Sequence, residues 1–519
     1  MIRLQPERKA LSAKMIRNVA FGGMRALLLA PVPFVMTPLI LSKVGTRGYG
    51  TWAVFVALNG FTSLVDLGLL GTLSKYVAEH YAHGDFGRLN RLLNTGLVVF
   101  TVLASVLVAG LWIVSGPLVN LMFHGSALGL GELRFLFHCA LILVWINVVT
   151  LFSSSVTSGL QRLDLANILS AFNILSAAIV GATLLLRGWG ISGLLYANIG
   201  SAALTLFAYS WLIHRLLPQF TLDPFQADKV EARRIFGFSL QIYVTQAAGA
   251  IHNQIEKLLL AFFVGVVPVG WYDIAGDVST KLRSAPQLLL GPVLPAASEL
   301  NARGEGDKLV ELYYRTHKYL AFLSIPLVCF AVAMAGQFVN LWIGTGLHFI
   351  ALPLEILLIV NLFNLLTGPG YLILAGRGIL WPGMYSALIG VVLNLVLSSA
   401  LIYTFGFAGA VTGTSISLIT ASLIFFYLFH RETRSSLSRL LREAYLKPLG
   451  CSLLLVAILA FVLPAANLTW IGLALRALVF AVAYTGLLLC SNFFDQYDWT
   501  KLQSAVPVIR IARRVAPVA

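Results

Sequence analysis

The sequence predicts an all-α polytopic membrane protein of about 14 transmembrane helices, built as two six-helix repeat bundles plus two extra C-terminal helices. Three observations carry this. Of 519 residues, 58% are hydrophobic and 11% are charged, against about 25% charged in a soluble domain, and the mean hydropathy is +0.86. Apolar runs of about 20 residues, each long enough to cross a ~30 Å hydrocarbon core as a helix, recur along the whole chain, whereas a barrel would alternate in segments of ~10 residues. The chain also repeats itself at nearly constant offsets.

Hydropathy places the spans at roughly 18–41, 50–72, 92–114, 134–157, 165–187, 191–213, 235–263, 268–297, 317–340, 350–374, 382–404, 408–429, 447–468 and 470–492. Before the first lies a basic stretch (Arg3, Arg8, Lys9, Lys14, Arg17) with no small-residue cleavage site after the apolar run, so the first helix reads as an uncleaved anchor. With the N-terminus inside, the inner segments hold most of the Lys and Arg, among them Lys75, Arg88, Arg162, Arg215, Arg233, Arg303, Arg315, Arg377, Arg431 and Arg439. The outer segments hold only Lys43, Arg47, Arg134 and Arg187. The positive-inside rule then predicts a multi-pass protein of the inner (cytoplasmic) membrane with both termini cytoplasmic. This topology accounts for the net charge of +15 without a nucleic-acid partner.

Outer loops are short, and no soluble catalytic domain hangs on either side. There is no Gly-rich phosphate loop, nucleophile elbow or His/Cys cluster. Cys139, Cys329, Cys451 and Cys490 are scattered singly through apolar segments. The sequence therefore predicts no enzyme, no cofactor and no metal site.

The repeat is read from matched residues. Gly190, Gly193, His214 and Arg215 match Gly406, Gly409, His430 and Arg431 at an offset of 216. Gly45, Gly50, Glu79 and Gly116 match Gly265, Gly270, Glu299 and Gly336 at an offset of 220. An even number of spans in each repeat keeps both in one orientation. The expected division is 1–215 and 216–431 as six-helix bundles, with 432–519 adding two further helices and a basic cytoplasmic tail. Transporters built this way bind cargo between the halves and rock one half against the other.

Charge inside the apolar stretches marks the candidate site. A charge at mid-bilayer costs roughly 2.5–3.5 kcal/mol on insertion scales, and such residues usually line polar pathways. The first span carries Asn18, Gly22 and Arg25 on one helical face; the second carries Asn59, Ser63 and Asp66. In the seventh, Gln246, Asn253 and Lys257 share a face and Glu256 lies on its neighbour; the eighth carries Asp273, Asp277, Lys281 and, beside them, Arg283. Spans one and two are the repeat equivalents of seven and eight, so a cavity at the interface of the halves is expected there. The competing reading is a set of buried ion pairs that fix helix packing, Glu256 with Lys257 or Asp277 with Lys281. Pro31, Pro33 and Pro286 stand within these spans and are expected to bend them.

The stretch Val44–Trp52 followed by Asp66-Leu67-Gly68-Leu69, and the eighth span from Trp271 through Lys281 and Arg283 to Ser298, resemble the oligosaccharide flippases, the polysaccharide-biosynthesis exporters of the multidrug/oligosaccharidyl-lipid/polysaccharide (MOP) superfamily. The likeness covers roughly residues 15–430. It implies a MATE-like pair of bundles and the flipping of undecaprenyl-pyrophosphate-linked oligosaccharide, a surface polysaccharide precursor, from the inner to the outer leaflet. It also implies that cationic cavity residues meet the pyrophosphate and sugar: here Arg25, Lys257, Lys281 and Arg283, with Asn59 and Asn253 as polar neighbours. The last two spans depart from the commonest twelve-span pattern and resemble the peptidoglycan-precursor branch in count. Asp66, Glu256, Asp273 and Asp277 are the candidates for a coupling ion, proton or sodium.

Physical chemistry fits this cargo, because a charged head needs a hydrated route and arginine suits phosphate through its fixed fork of donors. Two other readings stay open. A multidrug cation antiporter of the same fold needs acidic and aromatic cavity residues, and the surplus of Lys and Arg argues against it. A non-transport component of a glycan-synthesis complex leaves the intramembrane charges without a role. The expected partners are the lipid-linked oligosaccharide and the lipid bilayer, with a polysaccharide polymerase or glycosyltransferases as candidate protein partners.

Overall fold

The computed structural model describes residues 28–60, 62, 69–236, 240–462 and 469–505, and every regular element among them is helical. In chain order these are α1 (Pro31–Gly60), α2 (Leu69–His83), α3 (Phe86–Ile113), α4 (Ser115–Met122), α5 (Leu130–Gly159), α6 (Leu163–Leu186), α7 (Gly190–Leu216), α8 (Lys229–Phe236), α9 (Leu240–Phe263), α10 (Val266–Gln287), α11 (Val293–Ala302), α12 (Gly306–Ala333), α13 (Ala335–Ile343), α14 (Ala351–Leu366), α15 (Gly368–Gly376), α16 (Trp381–Phe405) and α17 (Phe407–Thr433). The C-terminal part is α18 (Leu437–Leu440), a π-helical stretch Leu441–Tyr445, α19 (Leu446–Val462), α20 (Trp470–Cys490) and α21 (Gln496–Ala505).

Among the described residues, ten helical segments are long and apolar enough to cross a membrane, beginning with α3 and ending with α20. Each coincides with an expected span. The four expected spans outside this set are the first, second, seventh and eighth, the ones with the heaviest polar load. The seventh and eighth are α9 and α10, which have the length but carry too many polar and charged residues. The first and second are only partly described, and a loop was expected between them. Instead α1 continues through a kink at Gly45, where φ is 66° and ψ −176°. A positive φ of this kind is open to glycine at little cost.

Contacts divide the chain into two compact units: Met1–Asp277 with Leu380–Ala421, and Val278–Ile379 with Ser422–Ala519. The divisions fall inside α10, between α15 and α16, and inside α17. In the first unit α7 packs on α5 and α6, α5 on α2 and α3, and α9 on α16 and α1. Its core includes Leu73, Leu92, Phe100 and Phe152, with the two phenyl rings 5.7 Å apart. In the second unit α11 packs on α15, and α12 on α14 and α19. Tyr313, Leu365, Phe425 and Phe429 form its main core. A second cluster joins Leu455, Phe480, Tyr484 and Leu488 of the added helices to Phe322 and Phe330 of α12. Large apolar side chains such as Ile113, Phe207 and Tyr403 stay exposed. On a membrane helix such faces meet lipid, and helix association rests on packing and polar contacts rather than on escape from water.

The repeat is present in backbone detail. Gly84 and Gly304 both have positive φ, at 68° and 70°. The turn around Gly84 is closed by Gly84 N–H to Tyr81 O and Asp85 N–H to His80 O; that around Gly304 by Gly304 N–H to Asn301 O and Glu305 N–H to Leu300 O. Every partner stands 220 residues from its counterpart. The charge is kept as well: Arg88 pairs with Asp85, and Lys308 with Glu305. At the other offset Gly190 and Gly406 have φ of 57° and 56°.

The added C-terminal helices are tied to α12 by a charged knot. Asp498, 2% exposed, accepts from Lys318 Nζ at 2.5 Å, Arg315 Nη1 at 3.0 Å and the Tyr319 hydroxyl at 2.5 Å. Asp495 takes a second bond from Arg315 at 3.1 Å, and the Tyr497 ring lies 4.0 Å from the Arg315 guanidinium.

Candidate functional site

The polar groups of α9 and α10 are organised by a hairpin. Gly265, with φ of 110°, turns the chain between the two helices. Residues equally far from that turn come to face each other, and Lys257 and Asp273 each stand eight positions from it. Lys257 Nζ donates to Asp273 Oδ1 at 2.5 Å, with both side chains 13% exposed. The second oxygen, Oδ2, accepts from the hydroxyl of Tyr49 on α1 at 2.8 Å. The carboxylate is thus held between a cation and a phenol. Of the two pairings weighed from sequence, neither is the one Lys257 makes: its partner is Asp273, across the hairpin. Asp277, one turn further on α10, is half-buried.

Tyr49 is positioned by close helix contact. A side chain at Gly50 would drive into the carbonyl oxygen of Val266, and one at Gly270 would meet Gly50 Cα at 3.1 Å and the Tyr49 ring at 3.0 Å. Only glycine at both positions lets α1 and α10 approach so closely.

Glu256, 1% exposed, points away from this pair into a second polar nest. Its Oε1 accepts from Asn394 Nδ2 of α16 at 2.5 Å and from the Thr414 hydroxyl of α17 at 2.9 Å. Tyr272 OH lies 3.0 Å from Thr414 Oγ1, and Asn394 Nδ2 reaches Ser417 Oγ at 3.2 Å. Asn394 Oδ1 is buried with no hydrogen-bond partner among the described residues. No cation pairs with Glu256 among the described residues. A buried carboxylate surrounded by hydroxyls and an amide, with a spare amide oxygen beside it, has the donor chemistry to hold a proton or a small hard cation.

The remaining expected residues are placed as follows. Asn59 accepts from Asn147 Nδ2 at 3.1 Å. Arg283, in the second unit, reaches Asn361 Oδ1 at 3.3 Å, and Asn361 in turn donates to Ser279 at 3.0 Å; the Nε of Arg283 is buried without a hydrogen-bond partner among the described residues. Lys281 is exposed. Arg25, Asp66 and the side chain of Asn253 lie outside the described residues.

Sequence reasoning missed Tyr49, Tyr272, Asn361, Asn394, Thr414 and Ser417 as site residues. A signal existed for some: Asn394 with Ser398, and Thr414 with Ser417, sit one turn apart in otherwise apolar helices.

An all-helical membrane chain with this arrangement has the fold of the MOP superfamily. A lipid II flippase, MurJ, solved in an inward closed conformation, superposes with a TM-score of 0.72 at 14% identity, covering 92% of this chain and 99% of that one. An inward-facing multidrug resistance MATE family transporter of the MOP superfamily gives 0.64 at 15%, covering 78% and 94%. The chain belongs to the polysaccharide biosynthesis protein family, whose model matches residues 15–299. Among its relatives is a protein of Haloferax volcanii named as a low-salt glycan biosynthesis flippase, Agl15, 20% identical over 76% of this chain and 79% of its own length. Another, of Shigella flexneri, is named for O-antigen transport and is 21% identical over 75% and 91%.

Proposed function

We propose that this protein flips a lipid-linked oligosaccharide across the membrane, and that its cargo is an undecaprenyl-pyrophosphate-linked surface polysaccharide precursor moved from the inner to the outer leaflet of the cytoplasmic membrane. Family membership and relatives named as flippases support the transport of a lipid-linked glycan. The observation that carries the finer reading is that α9 and α10, helices of membrane-crossing length, hold three cations, Lys257, Lys281 and Arg283, beside their three acids. A pyrophosphate head requires cations along its route, whereas the polyprenyl tail can stay in lipid. In this reading Arg25, Lys257, Lys281 and Arg283 meet the pyrophosphate and sugar. Residues 1–215 and 216–431 act as the two rocking bundles, both termini are cytoplasmic, and Glu256 holds the coupling ion.

The test is flipping in proteoliposomes. A fluorescent polyprenyl-pyrophosphate-linked oligosaccharide is incorporated, and its exposure is read by membrane-impermeant quenching. Protein-dependent flipping that falls sharply in Lys281→Ala and Arg283→Ala supports the cargo. Flipping at wild-type rate in both variants, or transport of ethidium in place of the glycolipid, overturns it; the latter outcome would favour the multidrug antiporter.

A further inference from the structure

A cleft with charged and hydroxyl side chains in its lining lies wholly within the second compact unit. It is an open cleft of about 360 Å³ where α11, α15 and α17 end and α12 begins. Asn301, Asp307, Arg377, Thr433 and Ser435 line it, with Phe429 among its apolar residues. Clefts of 300–1,000 Å³ are of the size that holds small ligands and headgroups.

Its charges are unusual in what they lack. The Arg377 side chain is half-buried, and among the described residues it has no ion-pair or hydrogen-bond partner. The neighbouring acids are engaged elsewhere: Glu299 pairs with Arg303 and Glu305 with Lys308. Asp307, the one acid lining the cleft, stands in the first turn of α12, where the helix N-terminus favours its charge. Thr433 donates its hydroxyl to Phe429 O at 2.9 Å and accepts from the Ser435 hydroxyl at 2.8 Å, so Ser435 holds the proton that a ligand could take by a turn about one bond.

The backbone between those hydroxyls is strained. Arg434, with φ of 51°, holds the left-handed position that ends α17, a place usually filled by glycine or asparagine. A non-glycine residue there carries a steric cost, and such costs concentrate at functional positions.

We propose that this cleft binds the phosphate of a hydroxylated lipid headgroup. Arg377 takes the phosphate oxygens through its fork of donors, assisted by the Ser435 hydroxyl turned from Thr433, while Asn301 and Asp307 accept from hydroxyls of the attached glycerol or sugar. The same chemistry is offered by an anionic phospholipid of the bilayer and by a lipid-linked sugar. The inference therefore stands apart from the cargo assigned to Lys257, Lys281 and Arg283. The alternative is that Arg377 only balances the carbonyl ends of the helices around it.

Full-length protein in detergent is titrated with dihexanoyl phosphatidylglycerol, dihexanoyl phosphatidylcholine and farnesyl-pyrophosphate-linked N-acetylglucosamine, with binding read by thermophoresis. At least one anionic probe is expected to bind. Arg377→Ala should weaken it about tenfold, the scale of one charge-assisted hydrogen bond, and Arg377→Lys should recover part of the loss. Ser435→Leu, which fills the cleft and keeps its charges, should weaken the same probe and so covers the case in which Arg377→Ala does not fold. Phosphatidylcholine should respond to none of these variants. The anionic probe that loses more affinity identifies the source of the headgroup. Neither anionic probe binding the wild type, or both binding Arg377→Ala and Ser435→Leu unchanged, overturns the proposal. Loss of the pyrophosphate probe in Lys257→Met alone removes the cleft and leaves the cargo assignment standing.

Discussion

Gly50 and Gly270 occupy the same position in the two repeats, 220 residues apart, and their backbones touch: a methyl group on Gly270 would lie 3.1 Å from both the N and the Cα of Gly50. Two helices that carry the same glycine at the same repeat offset thus meet at those glycines, α1 against α10. The preceding repeat glycines, Gly45 and Gly265, both hold positive φ and set the direction in which the two helices run on.

This contact should act as a seal at one end of the path. Gly50→Ala forces a methyl into the Val266 carbonyl, and overpacking of this kind costs about 1–3 kcal/mol. The strain is relieved when the helices separate, so the variant should favour the state in which they are apart. Val269, fully buried beside the contact, is the reporter. In a background with the four native cysteines replaced, Val269→Cys should react slowly with an impermeant maleimide, and faster when Gly50→Ala is added. Equal labelling rates in the two backgrounds would argue against a seal at these glycines.

The Lys257–Asp273 pair should be separable into structure and function by a double-variant cycle. Removing one partner of a buried pair leaves an uncompensated charge and costs about 3–5 kcal/mol, while removing both is often near neutral. Lys257→Met and Asp273→Asn are each expected to lower the detergent melting temperature, and the double variant to recover most of the loss. If Lys257 meets cargo, the recovered double variant still fails to flip glycolipid. Restored flipping would make the pair a packing device only.

How much of this was legible in the sequence depends on whether a feature is periodic or solitary. The polar faces of α9 and α10 repeat at helical spacing over several turns, so Lys257, Asp273 and Asp277 stood out. The repeat offsets led to Gly45 with Gly265 and to Gly50 with Gly270, but not to their contact, which depends on how the helices pack. The Lys257–Asp273 partnership was hidden because it crosses a hairpin, and helical spacing relates only residues of one helix. Its signal was the turn at Gly265. Asn394, Thr414 and Ser417 gain meaning only from Glu256, a helix away, so an apolar-run reading passes over them. Arg377 was read as one more inside-positive charge, because no periodicity distinguishes a topology marker from a cleft residue.

The C-terminal knot predicts where acid first loosens the protein. Burial raises the Asp495 carboxyl, but the backbone N–H of Asp498 and the charges of Lys318 and Arg315 lower it further, and the net position is below the ordinary carboxylate value. A lowered folded value means stability that is complete above the unfolded pKa of about 3.9 and is lost as pH falls through the folded value. The last helix should therefore resist protease from neutral pH down to about 4 and be released below it. Asp498→Asn should release it at neutral pH, at a cost of about 3 kcal/mol, because Lys318 and Arg315 lose their buried acceptor. Unchanged protection of residues 496–505 in Asp498→Asn would show that the apolar cluster of Phe480 and Tyr484 holds the segment without the knot.

Glu256 offers the sharpest test of coupling. It is deeply buried with no cation paired to it among the described residues, and its partners, Asn394 and Thr414, donate to its carboxylate while the Asn394 amide oxygen has no partner among them. An isolated buried charge is costly, and an ion taken up at this nest in one conformation and released in the other is what coupling flipping to a gradient requires. Glu256→Gln keeps the shape and the hydrogen bonds and mimics the neutral form. It should fold with a melting temperature close to wild type, still flip glycolipid, and lose all response to an imposed proton or sodium gradient. Glu256→Ala, which also opens a void and orphans the Asn394 amide, should be destabilised by about 2–3 kcal/mol. Proteoliposomes with each gradient imposed separately identify the ion from the one that accelerates the wild type. If wild type and Glu256→Gln flip at the same rate with both gradients collapsed and with either imposed, the nest is structural and the glycolipid moves by facilitated diffusion.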